Sequence, residues 1–430
     1  YRLTHKIESG KSTNFMVLAA CFFLCLAFLY RVNRFSFRKK IWISALFILS
    51  PITVGELISY YVDEQLYLWL LGYLITAYFI ITEVRWFYLL TLASLMILLI
   101  NFKFTGVLFA GIATLGFLAI LLYNRQNKLF KRVFITATLA TAVGIAWAGY
   151  YPYVTNALHN GSPFYPVMGP SKKDIISNVY PESFKDMNRF QKFFVSFFSH
   201  TDELRIYEDK NPRVPPKIPF TFSKKDIVNA PKLGVKMAGF GPFFSGAFLL
   251  SLVLLVVLIR KNRERVWLTN IGLLLGTLLL SVFAVPEAWW ARLVPQLWLF
   301  PLIIAYLAES DNRRATKWLK GIIYISLAVD ILLASLILPW NLLQTEEVKY
   351  QTAQLKASGD TLRVEFSYFK SNRIRLREHG IPYVEEKVPD DRVAYLVRSS
   401  TKFEQPSNLP SLPRPWFLSM VDGVKRRIRK

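Results

Sequence analysis

The sequence predicts an all-α polytopic membrane protein of about ten spans, with an extracytoplasmic loop and a small α/β unit at its C-terminal end. Three observations lead there. Of the 430 residues, 53% are hydrophobic and 15% aromatic, and the mean hydropathy is +0.31, values that suit a membrane chain better than a soluble one. Apolar runs of spanning length recur through residues 14–340. The 53 lysines and arginines give a net charge of +24, yet they fall in short clusters between the apolar runs. That distribution follows the positive-inside rule and argues against a nucleic-acid partner, which calls for one basic patch on a folded domain.

Taken in order, residues 1–13 are polar and form an outer N-terminal segment. The first span covers 14–32 and ends in Arg31, Arg34, Arg38, Lys39 and Lys40, a cytoplasmic mark. The second begins at Ile41 and is interrupted at Pro51, where a kink or an exit is expected. Residues 55–65 hold Glu56, Asp63 and Glu64 and no basic residue, so they belong outside. Spans at 66–82 and 86–100 follow, joined by a tight turn at Glu83 to Arg85. Asn101, Phe102 and Lys103 make a second outer turn before the span 104–123, which closes on Arg125, Lys128, Lys131 and Arg132.

The span 133–150 emerges into a long polar outer segment, 151–241. Further spans are expected at 242–259, 266–285, 295–308 and 319–340, with basic clusters after the first and third of these. The alternation puts every short basic cluster on one face and both ends of the chain outside. Residues 341–430 read as an extracytoplasmic α/β unit. Strands are expected at 361–366 and 393–398, a helix at 368–379 before Gly380, and a basic tail at 425–430. A cysteine-poor, sequon-poor, basic chain fits a bacterial plasma membrane.

Chemistry-bearing residues gather at the outer span ends. The turn 286–296 places Glu287, Trp289, Trp290 and Arg292 between two apolar runs, with Pro295 as the expected first residue of the next helix. Unpaired N–H groups there, beside Arg292, suit a phosphate. Lys103 precedes another helix start and supplies a second cation of the same kind. His159 and Tyr165 lie in the turn-rich run 159–167. Glu56, Asp63 and Glu287 are the carboxylates available as a general base toward a hydroxyl acceptor.

Trp289, Trp290 and Tyr165 are of a type that stacks on sugar rings, although interface anchoring explains each singly. Helix capping explains Asp63 and Glu64 equally well, and snorkelling explains Lys103. Asp330 lies in the middle of the last span, where a structural hydrogen bond to a neighbouring helix is the first expectation and proton coupling the second. Cys21 and Cys25 share one helix face in the first span and read as packing residues. The four histidines stand singly, so no protein-only metal site is expected, and no cofactor is implied beyond an optional divalent cation.

The order of these pieces resembles the GT-C superfamily of polytopic membrane glycosyltransferases. The resemblance rests on Pro51 followed by the run from Tyr60 to Leu66, on Lys103-Phe104-Thr105-Gly106, on the run from Gly161 to Pro166 after an outward span, and on Trp289-Trp290-Ala291-Arg292. It implies transfer of a sugar from a polyprenyl-phosphate-linked donor to a glycan, lipid or protein acceptor of the cell envelope, on the outer face. Arg292, Lys103, Tyr165, His159, Trp289 and Trp290 would then hold the donor, with Glu56, Asp63 or Glu287 as the acid. That superfamily carries its principal acid in the first outer loop, so a further helix and loop are expected upstream of Tyr1. A polysaccharide polymerase or ligase shares the same donor chemistry. A lipid-linked-oligosaccharide flippase or a membrane scaffold is the alternative from another class.

Overall fold

The apolar runs become helices because a backbone in hydrocarbon must satisfy its own N–H and C=O groups. The computed structural model describes residues 4, 6–32, 35–174, 179–204, 212–367 and 370–418. The chain divides into two bodies, Thr13–Ser335 and a second made of Leu336–Lys430 with Tyr1–Ser12.

The larger body opens with α1 (Ser12–Val32), α2 (Phe37–Ile48), α3 (Pro51–Glu56), α4 (Asp63–Thr82), α5 (Trp86–Phe102), α6 (Phe104–Tyr123) and α7 (Asn127–Val143). After π-helical turns at Gly144–Ala148 and Tyr150–Val154, the polar segment carries α8 (Thr155–Asn160), α9 (Arg189–Phe197) and α10 (Lys224–Asn229). The body closes with α11 (Phe244–Lys261), α12 (Arg265–Phe283), α13 (Leu299–Leu307) and α14 (Arg314–Ser335). Among the described residues seven helices are long and apolar enough to cross a membrane, and α5 is a shorter apolar helix. This fits an integral membrane protein of mostly helical build.

Two expected spans are broken. The second ends at Ile48; Leu49 and Ser50 are extended, and Pro51 starts a new helix. Ser50 Oγ accepts the Thr53 N–H at 3.0 Å, so proline acts here as a first helical residue beneath a cap and not as a kink. Carbonyls near the end of α2 are taken from the side: Trp298 Nε1 donates to Leu46 O at 3.0 Å, and Tyr67 Oη donates to Phe47 O. The expected span at 295–308 begins as a 3-10 turn, Pro295–Trp298, and α13 starts only at Leu299. The last expected span ends as α14 at Ser335.

Contacts define two polar ends of the bundle. At one, Lys39 and Lys320 hold Glu309 at 2.6 and 2.8 Å, Lys261 lies 3.4 Å from Asp311, and Arg31 meets Glu83 at 2.7 Å. Asn124 and Asn270 pair their amides at this end, at 2.8 Å. The acids and cations of the candidate site occupy the other.

Asp330 is fully buried on α14, and its Oδ1 accepts the N–H of Phe243, the residue before α11. A carboxylate at a helix start satisfies an orphan donor and complements the dipole. The structural expectation for Asp330 therefore has its partner. Gly241 makes room for this contact with φ +103°, and a Cβ there would stand 2.5 Å from Asp330 Oδ1. Beside it, buried Lys217 donates to Pro242 O at 2.7 Å.

The polar segment has its own buried acid. Asp226 accepts from Thr201 N at 2.6 Å and Ser223 N at 2.7 Å, and lies 2.7 Å from His200 Nδ1. Burial pushes this carboxyl up, but the hydrogen bonds from His200, Thr201 and Ser223 together outweigh it and hold it below the ordinary carboxylate range.

The second body holds α15 (Ile337–Ser358), β1 (Leu362–Glu365), α16 (Asn372–Glu378), β2 (Tyr383–Glu385), β3 (Val393–Tyr395) and β4 (Lys402–Glu404). The sheet order is β2-β1-β4-β3, with β1 and β2 parallel across α16 and the other pairs antiparallel. Leu355, Leu362, Val364, Leu376, Ile381, Leu396 and Phe403 form its core. The α/β reading thus holds, with two short strands, β2 and β4, that the sequence did not signal. Gly380 ends the helix at φ +65°, as its position predicted. Tyr368, at the start of the expected helix, and the basic tail 425–430 lie outside the described residues.

Two outcomes follow from these buried acids. Gly241→Ala forces a side chain into a left-handed backbone against Asp330, and thermal unfolding in detergent should show a loss of about 1–3 kcal/mol. Because the folded Asp226 carboxyl is depressed, its contribution is present above the ordinary carboxylate range and lost as pH falls through the depressed value. The Tm gap between wild type and Asp226→Asn should therefore narrow on acidification from about pH 6 to about pH 3.

Candidate functional site

α3 ends at Glu56 and α4 begins at Asp63, so the loop between them turns one acid back on the other. The N–H of Glu64 donates to Glu56 Oε2 at 3.0 Å, which makes Glu56 the cap of the α4 start. Asn14, buried on α1, pins the loop by donating to the carbonyls of Glu56, Leu57 and Ser59 at 3.2–3.3 Å, and Gln65 donates to Asn14 Oδ1.

Two cations close on this corner from distant parts of the chain. Lys103 is the extended residue between α5 and α6, and its Nζ bonds Asp63 Oδ1. Arg292 sits on the 3-10 turn Ala291–Leu293, with Nε 3.2 Å from Asp63 Oδ2 and 4.0 Å from Glu56 Oε1. Its guanidinium lies between two aromatic faces, 4.2 Å from the Tyr61 ring centroid and 4.5 Å from that of Trp290. The side chains of Lys103 and Arg292 are 29% and 16% exposed, whereas Asp63 and Glu56 are 4% and 2% exposed. The cations face outward and the acids back them.

The electrostatics are unbalanced. Three buried acids, Glu56, Asp63 and Glu64, meet two cations. Like charges packed this closely disfavour ionisation of all three carboxyls at once. Burial, with the charges of Asp63 and Glu64, pushes the Glu56 carboxyl well above the ordinary range, and Arg292 offsets only part of this. Glu56 Oε1, both oxygens of Glu64, and Arg292 Nε are buried without a hydrogen-bond partner. Buried polar atoms are rarely left so.

The structure brings together four of the residues singled out from sequence, Glu56, Asp63, Lys103 and Arg292, and sets Trp290 against them. Trp290 is fixed by an Nε1 bond to Val235 O at 3.0 Å. The helix-start anion site expected beside Arg292 is different in form: the Pro295 turn is 3-10, and Arg292 is turned onto Asp63 and not left open. Lys103 likewise serves Asp63.

Glu287 stands apart, its carboxylate accepting from Trp289 Nε1. Trp289 is buried against Phe184, Leu204 and Met237, and its ring contacts are with Tyr180, Phe184 and Trp290, so no face is presented to a sugar. Ser196 Oγ donates to Trp289 O at 2.7 Å, so α9 clamps the turn that carries Arg292.

His159 is exposed at the end of α8. Tyr165 offers its carbonyl to Asn156 and its ring to Lys173. Its neighbour Phe164 packs on Phe104 and Tyr153, which sets the loop 161–166 beside the start of α6. Tyr61, Asn14 and Gln65 were not foreseen as site residues. An Asn in the first apolar turn of a span was the one available signal.

Among the described residues no group of three or more His, Cys, Asp or Glu side chains is placed to hold a metal ion. The fold and the cluster define a helical integral membrane protein with a buried mixed-charge site at one polar end. Comparison with models of known families, with curated proteins and with solved structures gives no match.

Removing Arg292 leaves three buried acids facing one lysine. Arg292→Ala should cost about 3 kcal/mol in thermal unfolding. The double variant Arg292→Ala/Asp63→Asn should recover part of that loss, a coupling that a purely steric role for Arg292 would not show.

Proposed function

We propose that the protein is a membrane glycosyltransferase that takes a sugar from a polyprenyl-phosphate-linked donor and passes it to a hydroxyl of a cell-envelope acceptor. By the positive-inside rule, the end of the bundle that carries the cluster is the outer face. The observation that carries the reading is the sharing of Asp63 between Lys103 and Arg292, with both cations partly exposed and the acids behind them.

A lipid-linked phosphate arriving from the bilayer meets two preorganised cations, one a planar donor and one a point charge. By taking over the two cations it frees the Asp63 oxygens that they hold, which opens them to a hydroxyl donor. The acceptor oxygen forms its bond to the anomeric carbon as the carbon–phosphate-oxygen bond breaks. The hydroxyl proton goes to Asp63, and the polyprenyl phosphate leaves with the electron pair, held by Arg292 and Lys103. Glu56 keeps its proton and positions the start of α4. Asp330, which would be the proton carrier of a transporter, has one oxygen committed as a helix cap.

The test is transfer by purified protein in liposomes supplied with polyprenyl-phosphate-linked hexoses and pentoses, with products read by mass spectrometry. Arg292→Ala and Asp63→Asn should each lower kcat/KM by about a hundredfold or more, and Glu287→Gln should not. Wild-type transfer by Arg292→Ala, with the helical fold intact, would remove the site from the reading.

A further inference from the structure

The bundle contains a second built space, remote from the charged cluster. Residues of α4, α6 and α12 enclose a cavity of about 390 Å³. That volume lies in the range of ligand pockets. Its floor is closed where α6 and α12 meet: Thr277 stands so near Gly116 that a Cβ there would lie 2.1 Å from its Oγ1. A smaller apolar pocket shares Leu74, Ala113, Leu274 and Thr277 with it and continues the space along the helices. Leu74, Tyr78, Ile81, Ile120, Ile271 and Leu274 line the cavity and are only half-buried, so it opens sideways along helices of spanning length. A groove of this kind, facing hydrocarbon, accepts a lipid chain.

The mouth of the groove is polar. It lies at the end where Asn124 and Asn270 pair their amides. Gln126 lines the same mouth, and its Oε1 is buried with no hydrogen-bond partner. An unpartnered acceptor at this mouth is open to a donor from a bound headgroup. Arg125, Lys128 and Arg265, all exposed, follow or precede these residues in the chain and supply positive charge where a headgroup phosphate would sit.

We infer that this groove is a binding site for an anionic phospholipid whose headgroup also carries a hydroxyl, the phosphatidylglycerol class. One chain lies between α4 and α12, the phosphate faces Arg125 and Arg265, and a headgroup hydroxyl donates to Gln126. The site rests on the membrane fold alone and stands or falls separately from sugar transfer.

Native mass spectrometry of the full chain, released from nanodiscs of equal phosphatidylglycerol and phosphatidylcholine, tests it. Wild-type protein should retain one phosphatidylglycerol at least fivefold over phosphatidylcholine. Leu274→Trp fills the groove and should lose that adduct. Arg125→Asn/Arg265→Gln changes only exposed residues, and asparagine tolerates the left-handed backbone of Arg125; it should keep the fold and lose the preference. Equal retention of both lipids by wild type overturns the inference, as does an undiminished preference in the double variant. If Leu274→Trp fails to fold, the double variant decides.

Discussion

One carboxylate holds the polar end of the bundle together. Asp63 starts α4, and its two oxygens are taken by Lys103, from the α5–α6 turn, and by Arg292, from the turn before α13. Three stretches far apart in sequence are thereby fixed at one point. A buried carboxylate with two cations and an aromatic clamp satisfies the rule that buried charge be paired. The neighbouring acids do not satisfy it. Glu56 and Glu64 keep buried oxygens without hydrogen-bond partners.

The remaining buried charges are of another kind. Asp330 caps α11, Asp226 gathers backbone and side-chain donors in the polar segment, and Glu309 joins Lys39 and Lys320 at the opposite end. Asp226 and Glu309 sit at element ends, and Asp330, from within α14, reaches the start of α11 with one oxygen while the other has no hydrogen-bond partner. In a bundle with little water inside, such ends are where unpaired polar groups can be resolved. Beside Asp63 the unpartnered oxygens are gathered in one place, one of Glu56 and both of Glu64.

Much of the larger body was legible because spanning helices announce themselves by length and hydropathy. Glu56, Asp63, Lys103 and Arg292 were legible as a group because charge sidedness sends all of them to one end. Pairing was not legible. Glu287 and Arg292 are neighbours in sequence, yet Trp289 takes the first and Asp63 the second, a choice made by α9 and α4 packing from elsewhere. The helix start at Pro295 was misread because a proline at the first helical position is equally at home in a 3-10 turn. Strands β2 and β4 were missed because Tyr383–Glu385 and Lys402–Glu404 are three residues each and carry charge, without the apolar run that marks 393–398.

The discontinuity between α2 and α3 has a mechanical meaning. A helix interrupted at Leu49 and Ser50 would ordinarily be a free joint, able to swing its outer piece. Here Tyr67 of α4 and Trp298 of the 3-10 turn after Arg292 grip the carbonyls just below the break. The same two elements carry, or adjoin, the residues that Glu56 faces. The α2 side of the joint is thus tied to α4 and to the turn after Arg292. Any displacement of the Arg292 turn would reach the end of α2 through Trp298, just short of the break that leads into α3.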